Sequence, residues 1–247
     1  MKTIAALAIL ALGQSGFVYS DAKKDLTIHS KQGQGTMGGT PENQTLTLDL
    51  KGSVQISSKR QGFNLNADRV QAFVVPGQKS KSPNEIRSAT ATGQVKMTQT
   101  GKGKSSTIFC ETATYQTSGD VAKVNAKRSV RIQSFDEKKK QTLVGTGSSG
   151  TATLDRSNAG GDGLREATLT GSVRVDIVDA SANGGHAIFT GDLLTITQRE
   201  ITLTGHVKGQ GSVTERLGNL SGVNKIVLKL NERKEMTGFS FNTETAN

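Results

Sequence analysis

Five runs of alternating apolar and polar residues, and a shorter sixth, pass through a recurrent landmark, a glycine in all but one. They are LTLDLKGSVQI (46–56), ATATGQVKM (89–97), VAKVNAKRSVRI (121–132), ATLTGSVRVDI (167–177), ITLTGHVKGQG (201–211) and a shortened MTGFSF (236–241). Side chains alternate between the two faces of a strand, so each run predicts a strand with one dry and one wet face. The landmarks fall at 52, 93, 128, 171, 205 and 238, in steps of 33 to 43 residues. Internal repetition at that interval means stacked units rather than a compact globule. Four landmarks are glycines on the dry parity of their runs, Gly238 of the shortened run is a fifth glycine, and the third landmark is Arg128.

Between the landmarks lies a second recurrent segment whose dry parity changes half-way. GFNLNADRVQAFVV (62–75) runs Phe63, Leu65, Ala67 and then Val70, Ala72, Val74. STIFCETATYQ (106–116) switches from Ile108 and Cys110 to Ala113 and Tyr115, and AIFTGDLLTIT (187–197) from Phe189 and Gly191 to Leu194 and Ile196. One extra residue in the pleat moves every later side chain to the other face, so each switch predicts a bulge where the strand bends. GKGKSS, TSGD, DEKKK, GTGSSG, SNAGGDG and SANGG have turn composition. No helical periodicity stands out beyond the first residues. The expected fold is all-β and antiparallel, with roughly a dozen or more strands in consecutive hairpins. Hydrophobic residues at 33%, aromatics at 4% and no Trp fit a thin, elongated architecture better than a thick core.

A formal charge of +10, from 31 Lys and Arg against 21 Asp and Glu, favours anionic partners. Nucleic acid is disfavoured, because the basic residues are scattered and lack interleaved aromatics. MKTIAALAILALGQSGFVYS has a Lys, an apolar run from Ile4 to Leu12, and Val18 and Ser20 ahead of Asp21. This reads as a secretory signal peptide over 1–20, either cleaved or retained as an anchor, and places the chain in the periplasm. Cys110 is the single cysteine, so no internal disulfide can form, and its apolar setting suits a buried, inert thiol. His29, His186 and His206 lack metal-ligand spacing, and no G-x-S-x-G elbow occurs. Neither an enzyme nor a metal or other cofactor is expected. Asp68 and Asp192 hold matching places at the bends, where a structural role is expected.

Gly52-Ser53-Val54 followed by Ala67-Asp68-Arg69-Val70, and Gly191-Asp192-Leu193-Leu194 followed by Leu203-Thr204-Gly205-His206-Val207, carry a family likeness. In order and repetition the chain resembles the OstA-like, LptA-type periplasmic proteins of lipopolysaccharide transport over about residues 46–241, with 21–45 as an N-terminal extension and first strand and 242–247 as a tail. Arg128 in a glycine slot, the insertion at 75–88 and the Gly-rich 145–163 depart from the pattern. The resemblance implies a folded-over sheet, a β-taco or β-jellyroll, whose two leaves close over an apolar groove for acyl chains. It further implies lipopolysaccharide or another anionic glycolipid as cargo, and other OstA-like domains or a second copy as partners through edge-strand addition, with only indirect membrane association.

On that reading the groove is lined by Val54, Ile56, Phe63, Leu65, Val95, Met97, Ile108, Val173, Val175, Phe189, Leu194 and Ile196. Gly52, Gly93, Gly171 and Gly205 either leave room on the dry face or mark close packing. Arg128 is either a bulged residue facing solvent or a ligand for a lipid phosphate at the groove mouth. A structural or adhesive envelope protein built from the same repeats is the alternative; it predicts a filled core instead of a groove.

Overall fold

The computed structural model describes residues 16–20, 26–39, 45–59, 62–75, 85–101, 103–138, 140–155, 164–180, 185–211, 220–230 and 236–243. Among them there is no helix. The strands are β1 (Phe17–Ser20), β2 (Leu26–Ser30), β3 (Gln32–Gly38), β4 (Thr45–Ser58), β5 (Phe63–Val75), β6 (Glu85–Gly101) and β7 (Lys104–Ser118). They continue as β8 (Val121–Asp136), β9 (Gln141–Asp155), β10 (Leu164–Asp179), β11 (His186–Thr197), β12 (Glu200–Gly211), β13 (Leu220–Leu230) and β14 (Met236–Thr243). All fourteen belong to one antiparallel sheet, paired in chain order from β4 to β14, with β2 and β3 both on β4 and β1 on β2.

A single line of irregularities crosses this sheet and folds it in two. On β4, β6, β8, β10 and β12 the register breaks across two consecutive residues with positive φ: Gly52–Ser53, Gly93–Gln94, Arg128–Ser129, Gly171–Ser172 and Gly205–His206. Opposite each pair stands one residue of the odd strand, such as Asp68 on β5, Glu111 on β7, Ser148 on β9 and Asp192 on β11. Lys31, between β2 and β3, fills the same place against β4, and its N–H donates to the Gly52 carbonyl at 2.9 Å. β2 and β3 therefore act as one bent strand. Two residues against one at every step turns the chain the same way each time.

The first leaf comprises β3, Thr45–Lys51 of β4, Arg69–Val75 of β5 and so on to β14. The second comprises β1, β2, Val54–Ser58 of β4, Phe63–Ala67 of β5 and so on to the start of β13. Their inward faces form one apolar core, in which Ile28, Leu50 and Val54 have no solvent exposure. Only the opposing leaf can cover them. The leaves come close enough near the fold that a methyl group on Gly145 would lie 2.8 Å from Leu169 Cδ1 and 3.8 Å from Leu194 Cδ2, both across the seam.

The predicted folded-over, all-β sheet is thus observed, with three corrections to its details. First, Gly52, Gly93, Gly171 and Gly205 do not leave room on the dry face. Each is left-handed at the fold line, where a Cβ would meet the outward side chains of Lys31, Asp68, Ser148 and Asp192 respectively. That conformation costs an L-residue about 1–2 kcal/mol and a glycine nothing comparable. Second, GTGSSG (145–150) is not a turn but the middle of β9. Gly145 and Gly150 face inward there and make space for Leu169, whose δ-carbons would lie 2.8 and 2.9 Å from added methyls. Third, residues 21–45 supply not one first strand but two, because LTIHSKQGQGTMG (26–38) forms β2 and β3. Residues 1–15 of the expected leader and most of the 75–88 insertion lie outside the described residues, whereas Phe17–Ser20 of the same leader form edge strand β1.

Candidate apolar cleft between the leaves

Inward-facing residues near the fold line are sealed, and some further out, such as Phe63, Ile132, Ile177 and Ile196, are only partly buried against the same core. In the C-terminal half the seam leaves a cleft. There Leu143, Val175, Ile177 and Phe189 of the second leaf face Leu194, Ile201, Leu203, Ile226 and Leu228 of the first across a cleft with almost wholly apolar walls. The alternation in β12 and β13 that sends Ile201, Leu203, Ile226 and Leu228 inward sends Thr202, Thr204, Lys225 and Val227 out. The enclosed space amounts to about 20 Å³, room for about one water-sized guest. An acyl chain enters only if the leaves part at this end.

The first leaf also runs one strand further than the second here. β14 pairs with Val223–Leu230 and carries Phe241 opposite Ile226, on the inward side. Among the described residues no strand of the second leaf lies above it, and Phe241 is 52% exposed. At the other end the second leaf is the longer one, by β1. Among the described residues β1, β3 and β14 each pair with a single strand, so each end of the sheet presents a strand edge.

All twelve residues expected in the groove point inward. Val54, Ile56, Leu65, Val95, Met97, Val173, Val175, Phe189 and Leu194 are buried, and Phe63, Ile108 and Ile196 are partly buried against the same core. Of these, Val175, Phe189 and Leu194 line the cleft; the other nine belong to packed regions around it. Ten of the twelve lie on the second leaf, because the G-x-V landmark sits at the entry to that leaf. The first-leaf wall (Ile201, Leu203, Ile226 and Leu228) lies outside that expected set, although I-T-L at 201–203 alternates clearly; I-V-L at 226–228 is apolar throughout and conceals its inward face.

Arg128 is on the convex side of the fold, away from the groove mouth. Its side chain is 77% exposed, and Nη1 reaches Glu111 Oε2 at 3.5 Å. The headgroup role is corrected accordingly: a residue in the left-handed corner position projects outward with its neighbours on the fold line. His206 does the same, its Nδ1 lying 2.8 Å from Asp192 Oδ2. Cys110 is buried, and burial pushes its thiol pKa up, partly opposed by backbone hydrogen bonds from Lys127 and Thr112. Among the described residues no cluster of His, Cys, Asp or Glu could hold a metal ion.

Comparison with known proteins finds no matching family model, no matching curated protein and no matching solved structure.

Proposed function

We propose that this chain is a non-enzymatic periplasmic carrier that shields the acyl chains of lipopolysaccharide, or a similar anionic glycolipid, during transport to the outer membrane. The observation that carries this reading is the cleft with apolar walls on both leaves, near the C-terminal edge where Phe241 is 52% exposed. Transfer of acyl surface out of water provides about 25 cal/mol per Å². Among the described residues the seam is closed by packing of the inward apolar side chains, so the leaves can separate without breaking the sheet's hydrogen-bond ladder. Strand edges at both ends of the described sheet suit addition of another sheet, which would continue the groove.

The filled core around Ile28, Leu50 and Val54 favours a second reading, a structural β-repeat protein of the envelope with no lipid cargo. One experiment separates the two. A photoreactive residue at Ile201 or Leu228 is compared with one at Thr168 on the outer face, each in the full chain with lipopolysaccharide vesicles. Adducts from the two cleft positions, several-fold above Thr168, are the expected result. Labelling no better than from Thr168, in variants that keep their strand signal by circular dichroism, refutes the carrier and leaves the structural reading.

A further inference from the structure

The landmark that folds the sheet also sets a charge on its outside. In four of five complete copies the apolar residue after the corner is followed by a cation: Val95-Lys96, Val130-Arg131, Val173-Arg174 and Val207-Lys208. The fifth copy has Gln55 there. Because the valine faces inward, the next residue faces out, on the second leaf and next to the fold.

Strand register then brings these residues into one row. Lys96 lies opposite Phe109, Phe109 opposite Arg131, Arg131 opposite Thr146, Thr146 opposite Arg174, Arg174 opposite Thr190, and Thr190 opposite Lys208. Cations occupy every second strand, so they recur at intervals of ~9.6 Å over a line of ~29 Å. All four are exposed. Phe109 stands between the first two, with Lys96 Nζ 5.7 Å and Arg131 Cζ 5.8 Å from its ring centre, and holds both heads over the face.

The row is only partly neutralised by its surroundings. Asp176 binds Arg174, at 3.2 Å from Nε and 3.1 Å from Nη2. Lys96, Arg131 and Lys208 have no ion pair among the described residues. On the adjacent fold line Glu111 is engaged by Arg128 and Asp192 by His206, which leaves Asp68 as the acid of that line closest to Lys96. Beside the row run uncharged polar groups, among them Thr98, Thr107 and Gln133.

We propose that this outer row binds an extended acidic polysaccharide bearing one anionic group on every second sugar. Two sugars of an extended β-linked chain have nearly the length of two strand spacings, so the charges of the polymer and the cations of the row meet in step. The intervening threonine hydroxyls and amides suit a hydroxyl-rich chain. Nucleic acid fits less well. A duplex carries a charge per about 1.7 Å of axis, far denser than the row. Single strands need aromatic platforms, and the Phe109 ring is already flanked by cations. The surface is separate from the cleft and does not depend on lipid carriage.

The test uses the full chain and fluorescent hyaluronan oligosaccharides, which carry a carboxylate on every second sugar. Affinity is expected to rise with length up to about four disaccharides, one per cation, then level off, and to fall as salt is added. Replacing the row with Lys96→Gln, Arg131→Gln, Arg174→Gln and Lys208→Gln should weaken binding roughly tenfold or more, since several weak exposed contacts are lost together. The control removes the same charge elsewhere, with Lys59→Gln, Lys123→Gln, Lys127→Gln and Lys138→Gln, and should bind as the parent does. Strand content by circular dichroism is checked for both. Absence of binding by the parent, equal weakening in both variants, or tighter binding of a single-stranded DNA of equal charge overturns the proposal.

Discussion

Arg128→Gly should stabilise the protein, although it removes the largest side chain on the fold line and an ion pair with Glu111. Arg128 has φ +64°, in a slot where four other copies place glycine at +73° to +79°. Left-handed backbone costs an L-residue about 1–2 kcal/mol. A glycine returns part of that, about 0.5–1 kcal/mol, through its freer unfolded chain. Loss of the exposed ion pair counts for little. The net gain is about 0.5–1 kcal/mol, which raises the midpoint by roughly 1–4 °C for a chain this size. The converse substitution, Gly93→Ala at φ +74°, adds a steric cost, because the new methyl would sit 2.8 Å from Asp68 Cβ, which the backbone holds in place. Its expected destabilisation is about 2–4 kcal/mol, combining the torsional and overpacking costs. Asp68→Gly in the same chain should recover the steric part, and the double-mutant cycle reads it directly. Urea titrations at unchanged m-value supply the free energies. A lower midpoint for Arg128→Gly, or a neutral Gly93→Ala, would refute the assignment of these glycines to the corner.

Gly150→Ala should cost about 1–3 kcal/mol by overpacking, since its methyl would press on Leu169 Cδ2 at 2.9 Å and the Thr168 carbonyl at 3.0 Å; chemical denaturation measures it. Asp49 accepts from Arg69 Nε and Nη2 at 3.0 and 2.9 Å, and the guanidinium holds its carboxyl below the usual value of 3.8. The sign follows from linkage: what stability this pair contributes is present at neutral pH and is lost as pH falls through the lowered pKa. Carbon-detected NMR should find the Asp49 midpoint below 3.8, and Arg69→Gln should raise it. Cys110 should resist a disulfide reagent in the native protein at neutral pH, because burial both covers the thiol and raises its pKa. Labelling should become rapid only in denaturant; fast native labelling would show that the second leaf opens at β7.

The bends of β5, β7 and β11 could be read directly from sequence, because one inserted residue flips the apolar parity. The bends of β4, β6, β8, β10 and β12 could not, because two inserted residues restore it. Leu48 and Leu50 stay in phase with Val54 and Ile56, and Gly52 between them looks like part of the dry face. Positive φ at both Gly52 and Ser53 is what parity alone conceals. β3 was hidden for a different reason. QGQGTMG has no apolar row of its own, since Gly33 and Gly35 leave the inward side to Phe17, Leu46, Leu48 and Leu50. The cleft was half visible: the landmark drew attention to the second leaf, while the first-leaf wall lies in β12 and β13, beyond the reach of that pattern.

The corner explains why one four-residue pattern can recur while the rest of each copy drifts. Its first residue must tolerate left-handed backbone, its second follows in the same conformation, its third returns to the core, and its fourth is turned outward. The third position is consequently Val in all five complete copies, each at 1% exposure or less. The fourth is free of packing constraints, since no leaf covers the convex side. Packing would accept any polar residue there, as Gln55 illustrates, yet four copies carry Lys or Arg. The solvated threonines and asparagines at other outward positions show that solubility alone does not call for a cation at this one. Fold geometry accounts for where the row lies. Its uniform charge is the part that geometry leaves over, and a linear anionic partner supplies a physical reason for it.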